Sequence, residues 1–381
     1  MKNTLLIFSL CLFQVSLTGQ IKQDFCGTKR PQKTIYVDVD RLLKRRDQRL
    51  VTTEVVEVFV HFTTDNAGVQ PIISMDTFMA RFQDMRNFFY PHDICFLLVG
   101  SQIIQNTDLD EHHIFGMGPQ NNEQDEVVPF LKPGVLNVFV HHVLTFGNVM
   151  GGGNAYSIPN TYLSLDDGAL SGDCCVGTLT HEVGHCLGLY HTFEWTWGAG
   201  NQNQVKEEVA RNGNCVNCTT EGDLLCDTPA DPHELASYAG SDTLYLLVWE
   251  HMTNCVFDTT VLDNCGDMYN PDETNIMSYF PDSCHTNFTT GQGVRALSFL
   301  NGQLSDLKAP ENLMINQDAA NNAGEFIHTA KQQITYTASN LTFSGSSILW
   351  SAAGNLVSVL PGTTFSPGTG YALISAQNTC Q

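Results

Sequence analysis

The apolar positions change period along the chain, and each change predicts an element. Val55, Val56, Val58, Phe59, Val60 and Phe62 form a dense β-branched and aromatic run, the composition of a buried strand. Ser74 then stands where a helix N-cap belongs. Phe78, Phe82, Met85 and Phe89 follow at i, i+4, i+7 and i+11, one apolar stripe of a helix that stops before Pro91. Residues 94–104 and 135–144 return to strand composition. The order strand, helix, strand, strand predicts an α/β sheet packed on helices. Gly151-Gly152-Gly153 reads as a loop.

The last stretch is different in kind. After Lys331 no Asp, Glu, Lys or Arg occurs through Gln381, and Ser, Thr, Gly, Ala and Asn alternate with apolar residues, as in Leu356-Val357-Ser358-Val359-Leu360. Short strands with turns are predicted, forming a small all-β module over 308–381, with the boundary where Lys308-Ala309-Pro310 breaks the preceding pattern. The module reads either as a surface-attachment or sugar-binding unit or as padding for the first domain.

At the other end, Lys2 followed by the apolar residues 5–15 and Thr18-Gly19-Gln20 reads as an export signal over 1–19, too short to span a bilayer. No other stretch approaches a membrane span. An exported chain meets an oxidising compartment, so most of the twelve cysteines left after Cys11 is removed are expected in disulfides. The basic run from Arg41 to Arg46 reads either as a solvated linker or as a site where a protease removes a pro-segment. Composition narrows the partners: 18 Lys+Arg against 40 Asp+Glu give a net charge of −22, which excludes electrostatic binding of nucleic acid.

The chemistry concentrates in His181-Glu182-Val183-Gly184-His185-Cys186-Leu187-Gly188-Leu189-Tyr190-His191. Four residues advance a helix by roughly 400°, so His181 and His185 project from one face within reach of one ion. A straight helix would carry His191 about 15 Å from His181, too far to share a metal. Gly188 is the residue able to take the positive φ that ends the helix and returns the chain. Three neutral imidazoles leave a zinc ion doubly charged with a fourth position open to water, whose pKa falls to about 7. Glu182 is then the general base for that water and the acid for the leaving amine. A structural zinc site would fill all four positions with Cys or His.

With these residues in view, the sequence resembles the metzincin clan of zinc peptidases, including its methionine turn, here Asn275-Ile276-Met277-Ser278-Tyr279. Within that clan, Gly222-Asp223-Leu224-Leu225-Cys226-Asp227-Thr228-Pro229-Ala230 and Phe288-Thr289-Thr290-Gly291-Gln292 are similar to the pappalysin family. The resemblance covers residues 51–307 and the short segment around Cys26. It implies a catalytic domain over 51–307 with a mixed, mostly parallel twisted sheet and an active-site helix, preceded by a pro-segment over 20–50. It also implies Met277 as a hydrophobic floor beneath the zinc, and Tyr279 as a contact to the metal or the tetrahedral intermediate. Residues 154–158 become an edge strand pairing with extended substrate, and the wall near 281–286 sets specificity.

The same resemblance implies that Cys26 takes the fourth zinc position in a latent form; the competing reading makes Cys26 half of a disulfide and leaves Cys186 as the free cysteine. It implies a Cys265–Cys284 bridge, and a second from Cys255 to one of Cys215, Cys218 and Cys226. Cys215-x-x-Cys218 reads alternatively as a structural zinc pair. Cys174 and Cys175 have no evident partners. Calcium is implied near the cleft at Asp227 and Thr228, residues that otherwise cap turns. The expected function is a secreted, monomeric zinc endopeptidase acting on proteins and made as a zymogen. Two other readings are an adhesion or carbohydrate-binding protein whose zinc domain is a scaffold, and a zinc hydrolase of non-peptide amides.

Overall fold

A computed structural model describes residues 26, 28, 35–46, 53–69, 73–114, 124–146, 149–171, 177–194, 196–197, 204–232, 255–257 and 261–315, together with short segments between 319 and 376. The export signal and Cys174-Cys175 lie outside the described residues.

The fold is α/β. β1 (Glu54–Thr64), β2 (Ile94–Gln105), β4 (Leu136–His141), β7 (Gly153–Asn154) and β8 (Tyr162–Asp166) make a five-stranded sheet in the order β2-β1-β4-β8-β7. The first four strands in that order are parallel to their neighbours, and β7 is an antiparallel edge. α2 (Met75–Phe89) begins at Ser74, whose side chain accepts from the Thr77 N–H, and Phe78, Phe82, Met85 and Phe89 are its buried residues. They join Val56, Val58, Val60, Phe96, Leu136 and Val138 from the sheet in one core, as the 3.6-residue stripe requires. A later helix, α4 (Thr178–Cys186), adds Leu179 and Val183 to that core.

One segment departs from the sequence reading. Residues 135–144 are not one strand. β4 lies in the central sheet, whereas β5 (Val143–Phe146) pairs with β3 (Glu111–Ile114) and β6 (Val149–Met150) in a separate sheet that follows the short α3 (Thr107–Asp110). The chain turns out at His142, whose N–H donates to Asp110 Oδ1 at 3.3 Å and whose ring meets Asp167. The basic run is helical. It ends the helix α1 (Val39–Arg46), and Val39, Leu42 and Leu43 pack with Leu225 and Val294, the latter on α5 (Thr290–Leu300).

The disulfides differ from the implied set. Cys265 pairs with Cys215, Cys284 with Cys255, and Cys218 with Cys226. The cause is a tertiary docking: Asp263 accepts from the N–H groups of Val209 and Cys265, and Asn264 bonds Glu208, so the turn carrying Cys265 lies on the segment that carries Cys215. Both cysteines of Cys215-x-x-Cys218 are thereby consumed, which removes the zinc-pair reading. Cys26 and Cys186 are unpaired and buried.

In the C-terminal part, strands beginning at Asn312, Gln333 and Leu356 stack in parallel; so do those beginning at Ala319, Asn340 and Thr364, and those beginning at Glu325, Ile348 and Tyr371. Each turn of chain thus contributes one strand to each of three sheets, a parallel β-solenoid arrangement. Among the described residues no helix is long and apolar enough to cross a membrane.

The sheet also buries histidines. His61 is fully buried, stacks on Phe139 at 4.2 Å, donates from Nε2 to Asn137 Oδ1 at 3.0 Å and accepts at Nδ1 from Gln102 at 2.8 Å. Burial, only partly offset by the Asn137 bond, brings its pKa down to about 4. The neutral ring therefore contributes its full stability above pH 6.5. That contribution is lost as pH falls from 6.5 toward 4, because only the unfolded chain takes up the proton; the total is about 3 kcal/mol. Urea midpoints of the wild type and His61→Gln across this window should diverge, the wild type losing more on acidification. Parallel profiles would show that His61 carries no such linkage.

Candidate metal centre and cleft

Three side chains meet at the end of α4. His185 Nε2 lies 3.1 Å from His181 Nε2 and 3.1 Å from His191 Nε2. Each ring is fixed from behind by a group that only accepts: His181 Nδ1 donates to the Ile276 carbonyl at 2.7 Å, His185 Nδ1 to the Leu189 carbonyl at 2.9 Å, and His191 Nδ1 to Glu194 Oε1 at 2.9 Å. The rings are buried, and burial brings His181 and His191 down to about 3, with His185 also far below its usual value. With the proton of each neutral ring on Nδ1, three bare Nε2 lone pairs converge with no hydrogen among them. That arrangement repels itself unless a cation sits between. Nitrogens about 2.0–2.1 Å from a tetrahedral ion are about 3.3 Å apart, close to the spacing here.

The turn that brings His191 around is local. Gly188 has φ +90°, its N–H donates to the His185 carbonyl, and the Leu189 N–H donates to the Gly184 carbonyl. Those two bonds are the Schellman closure of a helix. Arg295 on α5 donates from Nε to the Gly188 carbonyl at 2.6 Å. From the other side comes the methionine turn: Met277 is fully buried, and a Cβ built on Gly184, between the two helical histidines, would lie 2.6 Å from its Sδ. Asp231 ties this turn to the third histidine, accepting from Thr192 and from Ser278, each at 2.6 Å. Sequence reasoning passed over Asp231, although it directly follows the Asp227-Thr228-Pro229-Ala230 motif.

Glu182 lies beside the cluster and is fully buried. Burial pushes its carboxyl up to about 7, against hydrogen bonds from Cys26, Thr28 and the Ala155 backbone that pull it down. It packs so close to the edge strand that a Cβ on Gly153 would lie 2.5 Å from its Cγ.

The N-terminal segment lies across all of this. Cys26, His181, His185 and His191 each offer a ligand atom, all within 4.8 Å of one another, and this is the one such group of metal-ligating side chains among the described residues. Cys26 bridges Gly153 in parallel, and its carbonyl accepts from the Tyr279 hydroxyl at 3.2 Å. Thr28 was not singled out from sequence, yet its hydroxyl donates to Glu182 Oε2 at 2.9 Å and accepts from the Ala155 N–H at 2.7 Å. Tyr279 stands with its ring 5.0 Å from His191 and 4.6 Å from Phe193.

One expected feature looks different. The edge strand implied over 154–158 is only Gly153–Asn154, because Tyr156 has φ +59° and breaks the extended run; Gly153 in turn belongs to that strand and not to a loop. Asp227 is not among the four grouped ligand side chains. Asp227 Oδ2 instead accepts from the Gly291 N–H at the start of α5 at 2.6 Å, and Thr228 meets Thr289 at 3.4 Å.

No family model matches the chain. It is 26% identical over 325 residues to an extracellular metalloprotease of Verticillium alfalfae, covering 77% of this chain and 96% of that one. A second extracellular metalloprotease, from Colletotrichum graminicola, is 26% identical over 313 residues, 78% of this chain and 96% of the relative. Among solved structures, mature mirolysin of Tannerella forsythia in complex with a cleaved peptide aligns with a TM-score of 0.45 and 19% identity over 68% of this chain and 96% of that one. Likeness along nearly the whole length of two curated metalloproteases, together with three imidazole lone pairs aimed at one point, makes this chain a metalloprotease, a hydrolase that works through a bound metal.

Proposed function

We propose that the protein is a secreted zinc endopeptidase of pappalysin type, made latent by its own N-terminal segment. The observation that carries this reading is the convergence of three buried, unprotonated Nε2 atoms beside Glu182 at an edge strand already occupied by a stretch of chain. His181, His185 and His191 would hold the ion, and the nitrogen-donor set suits zinc. When bound there, zinc supplies Lewis acidity, lowering the pKa of a coordinated water and polarising a carbonyl.

The chain's own residues do the rest. Glu182 takes a proton from the attacking water and delivers it to the departing amine. The Tyr279 hydroxyl, which reaches a backbone carbonyl oxygen in this form, donates to the oxyanion that develops on the substrate. The Ala155 N–H and the Gly153 edge pair with extended peptide as they now pair with Thr28 and Cys26.

Latency follows from the same contacts. Cys26 places sulfur among the imidazoles while Thr28 holds both the base and the rim donor, so one short segment occupies the metal position, Glu182 and the substrate edge together. Calcium at Asp227 and Thr228 is part of the proposal and is supported by their oxygen donors alone.

The test is casein hydrolysis by purified full-length protein before and after limited proteolysis. Activity should appear after cleavage and vanish with a chelator. Cys26→Ala should shorten the lag before activity by about tenfold or more, since a thiolate is the strongest ligand the segment offers. Chelator-resistant hydrolysis, or a lag that Cys26→Ala leaves intact, would remove the zinc reading and the thiol lock respectively.

A further inference from the structure

We propose that Tyr156 is a positioning residue for substrate: its phenol, held in a buried hydrogen-bond chain, fixes the strained turn that aims the Ala155 N–H into the cleft. This rests on the proteolytic reading above and adds a residue to it.

Tyr156 is a non-glycine residue at φ +59°, and across it the Ser157 N–H donates to the Ala155 carbonyl at 2.6 Å. An i to i+2 bond closed over a positive φ is the rare and strained form of γ-turn. Glycine would take this conformation without strain. The chain places a tyrosine there and holds it from two sides.

The first hold is on the backbone. Asn160 Nδ2 donates to the Ala155 carbonyl at 2.7 Å, and the Asn160 N–H donates to the carbonyl of Cys186, at the end of α4. The Ala155 carbonyl is thus turned away from the cleft and tied to the helix that carries His181 and His185. Its N–H faces Thr28, in the segment that lies along the edge.

The second hold is the side chain, and its proton order is determined. His141 Nδ1 meets the Leu109 carbonyl at 2.7 Å, which only accepts, so Nδ1 carries the hydrogen and Nε2 of the neutral ring is bare. Ser164 must then donate to His141 Nε2 across 2.8 Å. With its hydrogen committed, Ser164 accepts from the Tyr156 hydroxyl at 2.7 Å, and Tyr156 in turn accepts from His112 Nε2 at 2.7 Å. Ser164 and His141 are fully buried and lie in β8 and β4, the rigid interior of the sheet. Ser164 also stands opposite Asn154 in the β7–β8 pair. The turn therefore folds back so that the residue just past the substrate edge is bolted to the strand directly behind that edge. The hydroxyl needs an acceptor at one distance, and a shift of the turn would break the chain at Ser164. Without it, Tyr156 is free to relax toward negative φ, which rotates the Ala155 peptide and takes its N–H off target.

The experiment uses Tyr156→Phe, which keeps the ring against Tyr162 and deletes only the hydroxyl, with Ser164→Ala as the second variant should the first not fold. For the activated protein on an extended peptide, KM should rise about five- to tenfold with kcat within about twofold, because a backbone contact shared by substrate and transition state is weakened. In the full-length protein, the rate at which a maleimide labels Cys26, read on its tryptic peptide, should rise by a similar factor, since Thr28 is held by the same N–H. This second readout needs no proteolysis. An active wild type whose KM and Cys26 labelling are both unmoved by either variant overturns the role of Tyr156 and leaves the protease standing. A wild type that cleaves nothing sinks the protease reading, and labelling unchanged by either variant would then reject the anchoring as well.

Discussion

Glu182→Ala is expected to lower kcat/KM of the activated protein by about 10²- to 10⁴-fold, the range for removing a positioned general acid and base, while the protein retains one metal per chain. The dissociation of the two readouts is the point. Every contact that orients an imidazole comes from elsewhere: the Ile276 and Leu189 carbonyls and the Glu194 carboxylate hold the three rings, and none involves Glu182. The side chain is fully buried against Gly153, so its loss opens space at the rim without displacing a ring. Glu182→Gln, which keeps the volume and lacks the basic oxygen, should be impaired to a similar extent. Metal content by plasma atomic-emission spectrometry and hydrolysis of a fluorogenic peptide decide it. Near-normal turnover by either variant would remove Glu182 from the chemistry, and loss of metal would recast it as a ligand or a support.

Gly188→Ala should be strongly destabilising. An L-residue at φ +90° is strained by about 1–2 kcal/mol, and the new Cβ falls within contact distance of the Phe299 ring, 2.1 Å from Cδ2, which adds about 1–3 kcal/mol for overpacking. The destabilisation expected is about 2–5 kcal/mol. The strain can be relieved only by unwinding the Schellman closure, which swings the chain carrying His191 away from the other two rings. The variant should therefore show a lowered melting temperature together with weakened metal retention against a chelator. A wild-type melting temperature with full metal content would mean that the turn tolerates a side chain and that His191 is placed by other contacts, such as the ties through Asp231.

How far the sequence could be read depended on how local each cause was. The stripe of Phe78, Phe82, Met85 and Phe89 was legible because a helix imposes its period on neighbours a few residues apart. The pairing of His181 with His185 was legible for the same reason, and Gly188 announced the turn because few residues accept its φ. Thr28 was not legible: its partners Glu182 and Ala155 lie 154 and 127 residues away. The family resemblance placed Tyr156 in an extended edge strand, and only the pull of Ser164 and the Asn160 bond explain a positive φ there. The bridges were misassigned because sulfurs pair by proximity. Cys265 reaches Cys215 through the docking of Asp263 on Val209, a contact with no trace in cysteine spacing. In the tail, turns of unequal length separate the strands that stack, since those beginning at Asn312, Gln333 and Leu356 are not evenly spaced.

By itself, then, the order of residues determined the α/β character of the first domain, the helix that presents two histidines, the glycine that returns a third, and the acidic residue beside them. These depend on dihedral preferences and on periodicities of two and 3.6, which act within a few residues. Tertiary structure alone decided that the imidazoles are pinned by Ile276, Leu189 and Glu194, that a threonine near the N-terminus covers the carboxylate, and that a tyrosine anchors the rim. Each of these is a polar contact whose geometry is set by how sheet, helix and loops pack, and a hydrogen bond between distant residues leaves no period along the chain.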